Sequence, residues 1–191
     1  MNDVLDVTDC KEIGCFLMSK GRAEKAEPFF VRALELDSQS TDALTSMAAA
    51  LMAQGRIEEA REKLNTAISI DPTYAAAWFN LGTLQHREGL LAEARMCLLV
   101  ALRQNPPFMD TVWMGLAMNS QYCCDWEKAI SEYECALELA PDNAAARMSL
   151  GIIQMLLGRW DVGLKNYEAR LSVHKVGYPT TVFPIWSDIA K

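Results

Sequence analysis

The sequence predicts an all-α fold in which one helical hairpin is repeated along the chain. Three observations carry this reading. Small and bulky residues recur with a fixed period, helix-stopping residues separate the recurring blocks, and no alternating β-branched run occurs before residue 172. Ala26, Ala60, Ala94 and Ala129 are spaced by 34, 34 and 35 residues. Ala33, Ala67, Ala101 and Ala136 repeat those steps. Pro72, Pro106 and Pro141 form a third series, with Ser38 where an earlier proline would fall, and Trp78 and Trp113 form a fourth. Independent series that share such a period mark a stacked-repeat architecture.

The units run 7–40, 41–74, 75–108, 110–143 and 144–177, with Met109 as a one-residue insertion. Residues 1–177 are thus read as the array and 178–191 as an extended tail. Ten helices of about 11–15 residues are expected, two per unit. The first unit has Cys10 and Ser38 at its periodic positions and turns at Gly21. The second turns at Gly55, with Ala48 and Ala60 as its small residues. The third is the clearest. Its first half, AAAWFNLGTLQHRE, has apolar residues at helical spacing and stops at Gly89. Its second half, LAEARMCLLVALRQ, is again helical and is expected to end at Asn105, because the residue before Pro106 is pushed out of the α region. In the fourth, Cys124 stands where the other units place a turn glycine; in the fifth, Gly158 holds that place and Gly163 replaces the periodic alanine.

Packing explains the recurring residue types. Antiparallel helices approach closely only where small residues meet, and Gly82 with Ala94, or Ala48 with Ala60, supply such a meeting. Trp78, Leu81 and Leu98 fill the space beside it. One hairpin cannot bury both its faces, so about three or more must stack.

Composition narrows the function. Net charge is −7, and no basic face is visible for displacing phosphate counterions, so nucleic acid is not an expected partner. No apolar run approaches the roughly 18 residues of a membrane span. The acidic start MNDVLDVTDC reads neither as a signal nor as a transit peptide. The six cysteines show no CxxC spacing and there are only two histidines, so neither a metal nor another cofactor is expected. Such cysteines fit a reducing, cytoplasmic setting, where a thiol acts as a small hydrophobe. No phosphate-cradling loop, nucleophile elbow or catalytic acid pair is present; Glu58, Glu59, Glu132 and Glu134 read as helix-surface acids. The chain is expected to hold another molecule rather than act as an enzyme.

The pattern resembles the tetratricopeptide repeat (TPR) family. Trp78, Leu81, Gly82, Ala94, Leu98, Ala101 and Pro106 meet the family signature, as do Trp113, Leu116, Ala117, Trp126, Ala129, Tyr133, Ala136 and Pro141. The resemblance spans 7–177, and the departures of the first unit are those of a capping repeat. It implies a right-handed superhelix with a concave face lined by the first helix of each pair. The fifth unit carries a narrower likeness. Gly163, Tyr167, Glu168 and Arg170, followed by Phe183 to Trp186, resemble the junction of bacterial and phage TPR proteins where the array leads into a glycosyltransferase-like domain. That resemblance implies, as an alternative, a substrate-recruiting or dimerising part of a protein glycosyltransferase system.

The repeat register assigns the concave face. Its expected residues are Lys11, Cys15 and Met18, then Thr45, Ala49 and Met52, then Phe79, Asn80, Thr83 and His86. Met114, Met118, Gln121 and Tyr122 follow, and Met148, Ile152 and Met155 complete it. Six of the ten methionines fall on this surface, which suits an apolar groove for a helix or an extended peptide. The alternative is that these methionines pack on the neighbouring first helix and are buried. Lys11 matches one place of the lysine–asparagine clamp by which some TPR proteins hold a C-terminal carboxylate, but Cys15 stands where the asparagine is needed. Of the asparagine ladder in O-linked N-acetylglucosamine transferase arrays, only Asn80 is matched. His86, beside Arg87 and Glu88, reads as a solvated residue at a helix end. Expected partners are a protein or peptide, a second copy, or the chain's own tail, whose Phe183 and Trp186 would anchor it.

Overall fold

The computed structural model describes residues 6–173; the expected tail 178–191, its anchors Phe183 and Trp186, and the last residues of the fifth unit lie outside them. In order the helices are α1 (Val7–Ser19), α2 (Ala23–Leu36), α3 (Thr41–Ala53), α4 (Ile57–Ile70), α5 (Ala75–Arg87) and α6 (Leu91–Arg103). There follow α7 (Met109–Tyr122), α8 (Trp126–Leu139), α9 (Ala144–Leu156), α10 (Trp160–Tyr167) and α11 (Arg170–Val173). The described residues contain no strand. Each odd helix from α1 to α9 packs on the even helix that follows, and each pair stacks on the next. The first helices α1, α3, α5 and α7 also touch in succession, so they share one face.

Local chemistry sets the helix ends. Asp6 and Asp9 form a reciprocal capping box at the start of α1, and the Ser40 hydroxyl and Asn143 side chain accept backbone N–H groups at the starts of α3 and α9. Gly89 follows α5 with φ of 80°, a left-handed conformation that costs glycine nothing. Cys124 takes the same conformation after α7, with φ of 57°. A left-handed non-glycine residue stores about 1–2 kcal/mol, against the roughly 0.4–1 kcal/mol of chain entropy that a glycine adds to the unfolded state. Cys124 is exposed, so its removal leaves no cavity. Cys124→Gly is therefore expected to stabilise the fold by roughly 0.5–1 kcal/mol; an unchanged or lower melting temperature would count against this.

The small residues meet as the packing argument requires. A Cβ added to Gly82 would lie 3.0 Å from the Ala94 carbonyl oxygen and 3.0 Å from Leu98 Cγ. Ala60, Ala94 and Ala129 are fully buried, with Phe30, Leu51, Leu64, Leu84, Leu98, Leu116 and Tyr133 among the large side chains of the core. Ala94→Leu is expected to overpack the α5–α6 crossing and cost about 1–3 kcal/mol. A loss no greater than that of an exposed substitution, measured by urea unfolding, would contradict the register.

Met109, the one-residue insertion, enters α7 as its first residue, so α7 has 14 residues where α3, α5 and α9 have 13. Three sequence expectations are corrected. The second helix of the third unit stops at Arg103 rather than Asn105, because Asn105 is left-handed with φ of 51°. Glu132 is no surface acid: its side chain lies in the α6–α7–α8 contact with 5% exposure. And α10 has 8 residues, short of the expected length, with a turn at Glu168 and Ala169 before α11. Tertiary packing supplies most of a helix's stability, and Trp160 and Leu164 on the outer side of α10 are exposed. Gly163, in mid-helix, weakens it further.

Candidate functional site

The first-helix face is most open at the C-terminal end of α7. There Tyr122 is 68% and Met118 42% exposed. Both are held outward because the residues between them are tied inward. The Asn119 amide donates to the Leu91 carbonyl at 2.9 Å. The Ser120 hydroxyl donates to Glu132 at 2.7 Å, and the Arg95 guanidinium donates to Ser120 at 3.1 Å and to Glu132 at 2.6 Å. The Tyr133 hydroxyl donates to Gln121 Oε1 at 2.9 Å, which turns part of the Gln121 amide away from a partner. One buried polar network thus fixes the turn that presents Met118 and Tyr122. The periodic pattern gave little sign of it: Arg95, Ser120 and Glu132 come from three helices, and although Arg61 repeats Arg95 in the second unit, the Ser120 and Glu132 positions are filled differently in the other units.

His86 packs edge-on against Tyr122, with ring centroids 4.7 Å apart. It is half-buried, not a solvated residue at a helix end. Burial pushes its imidazole below the ordinary histidine range, and its Nδ1 lies buried without a hydrogen-bond partner, which also opposes protonation. The unfolded chain therefore takes up this proton first as pH falls. The stabilisation His86 provides is complete above its unfolded pKa of about 6.5 and declines from there down to the lower folded value. The stability difference between wild type and His86→Gln is expected to shrink from about pH 7.5 to about pH 5; a constant difference would contradict it.

The other expected contact residues divide. Phe79, Asn80 and Thr83 of α5, Met114 of α7, and Met148, Ile152 and Met155 of α9 are half-buried. Phe79 is braced edge-on by Phe108 at 5.8 Å, and Met114 Sδ accepts from the Asn143 amide at 2.9 Å. Thr45 and Met52 do not belong to an open surface, contrary to the sequence expectation. Thr45 is buried with its hydroxyl donating to the Thr41 carbonyl at 2.7 Å, and Met52 packs into the core of the first three units. Met18 leans on that same core. Lys11 pairs with Asp42, which also accepts from the Tyr74 hydroxyl at 3.1 Å, so its ammonium already has a partner. The Arg87 guanidinium donates to the Met52 carbonyl at 3.2 Å. Small residues and internal bonds thus close most of the N-terminal half of the face, where Cys15 alone of the expected residues is exposed, while Met118 and Tyr122 stand open in its C-terminal half.

Profiles of the tetratricopeptide repeat match residues 17–67 and 125–171, and a TPR repeat profile matches 48–89. The chain is a tetratricopeptide repeat protein. The sequence of this TPR protein matches no curated protein. Solved structures share its fold. One titled a functional characterisation of Pseudomonas aeruginosa pilF is 20% identical, with a TM-score of 0.79 over 85% of this chain and 74% of that one. TTC0263, a thermophilic TPR protein in Thermus thermophilus, is 24% identical, with a TM-score of 0.75 over 87% of this chain and 90% of that one. YrrB, described as a TPR protein with an unusual peptide-binding site, is 19% identical, with a TM-score of 0.61 over 88% of this chain and 86% of that one. Among the described residues no helix is long and apolar enough to cross a membrane, and no group of three metal-capable side chains gathers.

The glycine and tyrosine of the fifth unit have a packing role of their own. A Cβ on Gly151 would lie 2.7 Å from the Gly163 carbonyl oxygen and 2.6 Å from the Tyr167 nitrogen. Here α9 and α10 cross backbone to backbone, which glycine at 163 permits.

Proposed function

We propose that this TPR protein is a non-catalytic interaction scaffold that receives a helix or an extended peptide on the C-terminal half of its first-helix face. The observation that carries this reading is the exposed pair Met118 and Tyr122, held out by the Arg95–Ser120–Glu132 network, with His86 against the Tyr122 ring; the half-buried Phe79 of α5 and Met148, Ile152 and Met155 of α9 would extend the surface. Tyrosine on a rigid support anchors partners at low entropic cost, and methionine adapts to varied apolar shapes. YrrB, which shares the fold, is described by its peptide-binding site; a peptide is the partner class proposed here also.

The test is selection of binding peptides from a random display library on the immobilised chain, followed by fluorescence anisotropy with the best of them. Tyr122→Ala is expected to weaken binding about tenfold or more, in line with about 2 kcal/mol for an aromatic anchor. Met118→Ala should weaken it less. Met96→Ala, at an exposed residue of α6 away from this face, should leave the affinity unchanged. Peptides that bind Tyr122→Ala as tightly as wild type would overturn the assignment.

A further inference from the structure

Among the described residues the two ends of the array are left uncovered in complementary ways. Counted from unit starts at Thr41, Ala75, Asp110 and Ala144, the third and tenth residues of every later unit, both on its first helix, are buried towards the second helix of the unit before. The third residues are Ala43, Ala77, Val112 and Ala146; the tenth are Ala50, Leu84, Asn119 and Ile153. The contacts they make are specific. Asn119 reaches the seventeenth residue of the preceding unit, Leu91, and Ala43 and Val112 share core clusters with the twenty-seventh residues, Ala33 and Ala101. In the first unit the third and tenth residues are Asp9 and Phe16. No preceding unit covers them among the described residues, and Phe16 is 61% exposed. At the other end the seventeenth residue of the fifth unit is Trp160, 56% exposed, and Leu164 one turn on in α10 is exposed too, as is Leu171 of α11. The twenty-seventh is Arg170 in place of the usual alanine, its guanidinium 4.6 Å from the Tyr167 ring centroid.

Array ends are normally made polar where they meet water. These ends instead pair by position. Register places the exposed Phe16 opposite the exposed Trp160 of α10, and the repeat count sets the acidic Asp9 against the basic Arg170 of α11, beyond the turn at Glu168 and Ala169, where inner units place two small apolar residues. We propose that α1 of a second copy of this chain docks on the α10 face, continuing the inner stacking contact from one molecule to the next. The occupant follows from the internal contacts: the face is shaped for a first helix, and α1 is the first helix whose own stacking residues are left over. Such a contact is heterologous, so each added copy presents a fresh end and assembly grows with concentration. The surface is separate from the Met118–Tyr122 face, so neither proposal depends on the other.

Sedimentation velocity of the full chain, from about 1 to about 200 μM, tests it. Wild type is expected to show a weight-average mass that climbs steadily beyond a dimer. Phe16→Glu and Trp160→Glu alter exposed side chains, so both should keep wild-type circular dichroism, and each alone should remain monomeric. Their equimolar mixture should form dimers and nothing larger, because the intact α10 face of one meets the intact α1 of the other and both outer ends are blocked. A monomeric wild type, self-association that survives Phe16→Glu as in a symmetric pairing of two α10 faces, or a mixture without dimers would each overturn the proposal.

Discussion

Arg95→Met is expected to destabilise the fold by about 3–5 kcal/mol, the cost of leaving a buried carboxylate without its countercharge. Glu132 is buried between α7 and α8, and its two oxygens are held by Arg95 and by Ser120, which Arg95 also contacts. Removing the guanidinium leaves Glu132 one weaker hydroxyl partner. The effect should be strongly non-additive: Glu132→Leu in the same chain should restore most of the loss, since a buried ion pair replaced by matched apolar groups is often neutral or better. Urea unfolding of the two single variants and the double variant measures this cycle. A loss below about 1 kcal/mol for Arg95→Met, as for a surface ion pair, would show that the network does not anchor α7. The array also holds exposed pairs such as Arg159 with Glu127, at 2.6 Å, for which that small value is expected.

Gly151→Ala should destabilise by about 1–3 kcal/mol despite the better helix propensity of alanine, which favours it by about 1 kcal/mol in isolation. The clash outweighs the propensity because the neighbours are backbone atoms. A Cβ there would sit 2.6 Å from the Tyr167 nitrogen and 2.7 Å from the Gly163 carbonyl oxygen, with no flexible side chain to yield. Relief requires α10 to move away from α9. Stability in a stacked array is roughly a sum over units and their interfaces, so the damage should stay local. Amide hydrogen exchange should rise across α10 and remain unchanged in α3 to α6. Unchanged exchange in α10 would mean that the two helices do not cross at these glycines.

The fold was largely legible because its core repeats. Ala60, Ala94 and Ala129 recur where one helix must approach another, and each is buried there. The candidate face was legible only in part. Register assigns side chains to the first-helix side or to the inside of the hairpin, but it cannot rank their exposure. Thr45 and Met52 occupy face positions and are buried, because Ala48, Ala49 and Ala53 leave α3 slim enough for its neighbours to close over it. His86 reads as solvated until Tyr122, one repeat further along the chain, is seen against its ring.

The sequence by itself determined the all-α class, the pairing of helices and the small residues at their crossings, since these follow from periodicity and from helix-stopping residues acting over a few positions. Only the tertiary structure decided which face residues stay open, that Glu132 is buried beneath α7, and that among the described residues Phe16 and Trp160 are left uncovered at opposite ends. Each of these depends on contacts between residues far apart in the chain, and the exposure of a side chain is fixed by what packs over it rather than by its own identity or that of its neighbours in sequence.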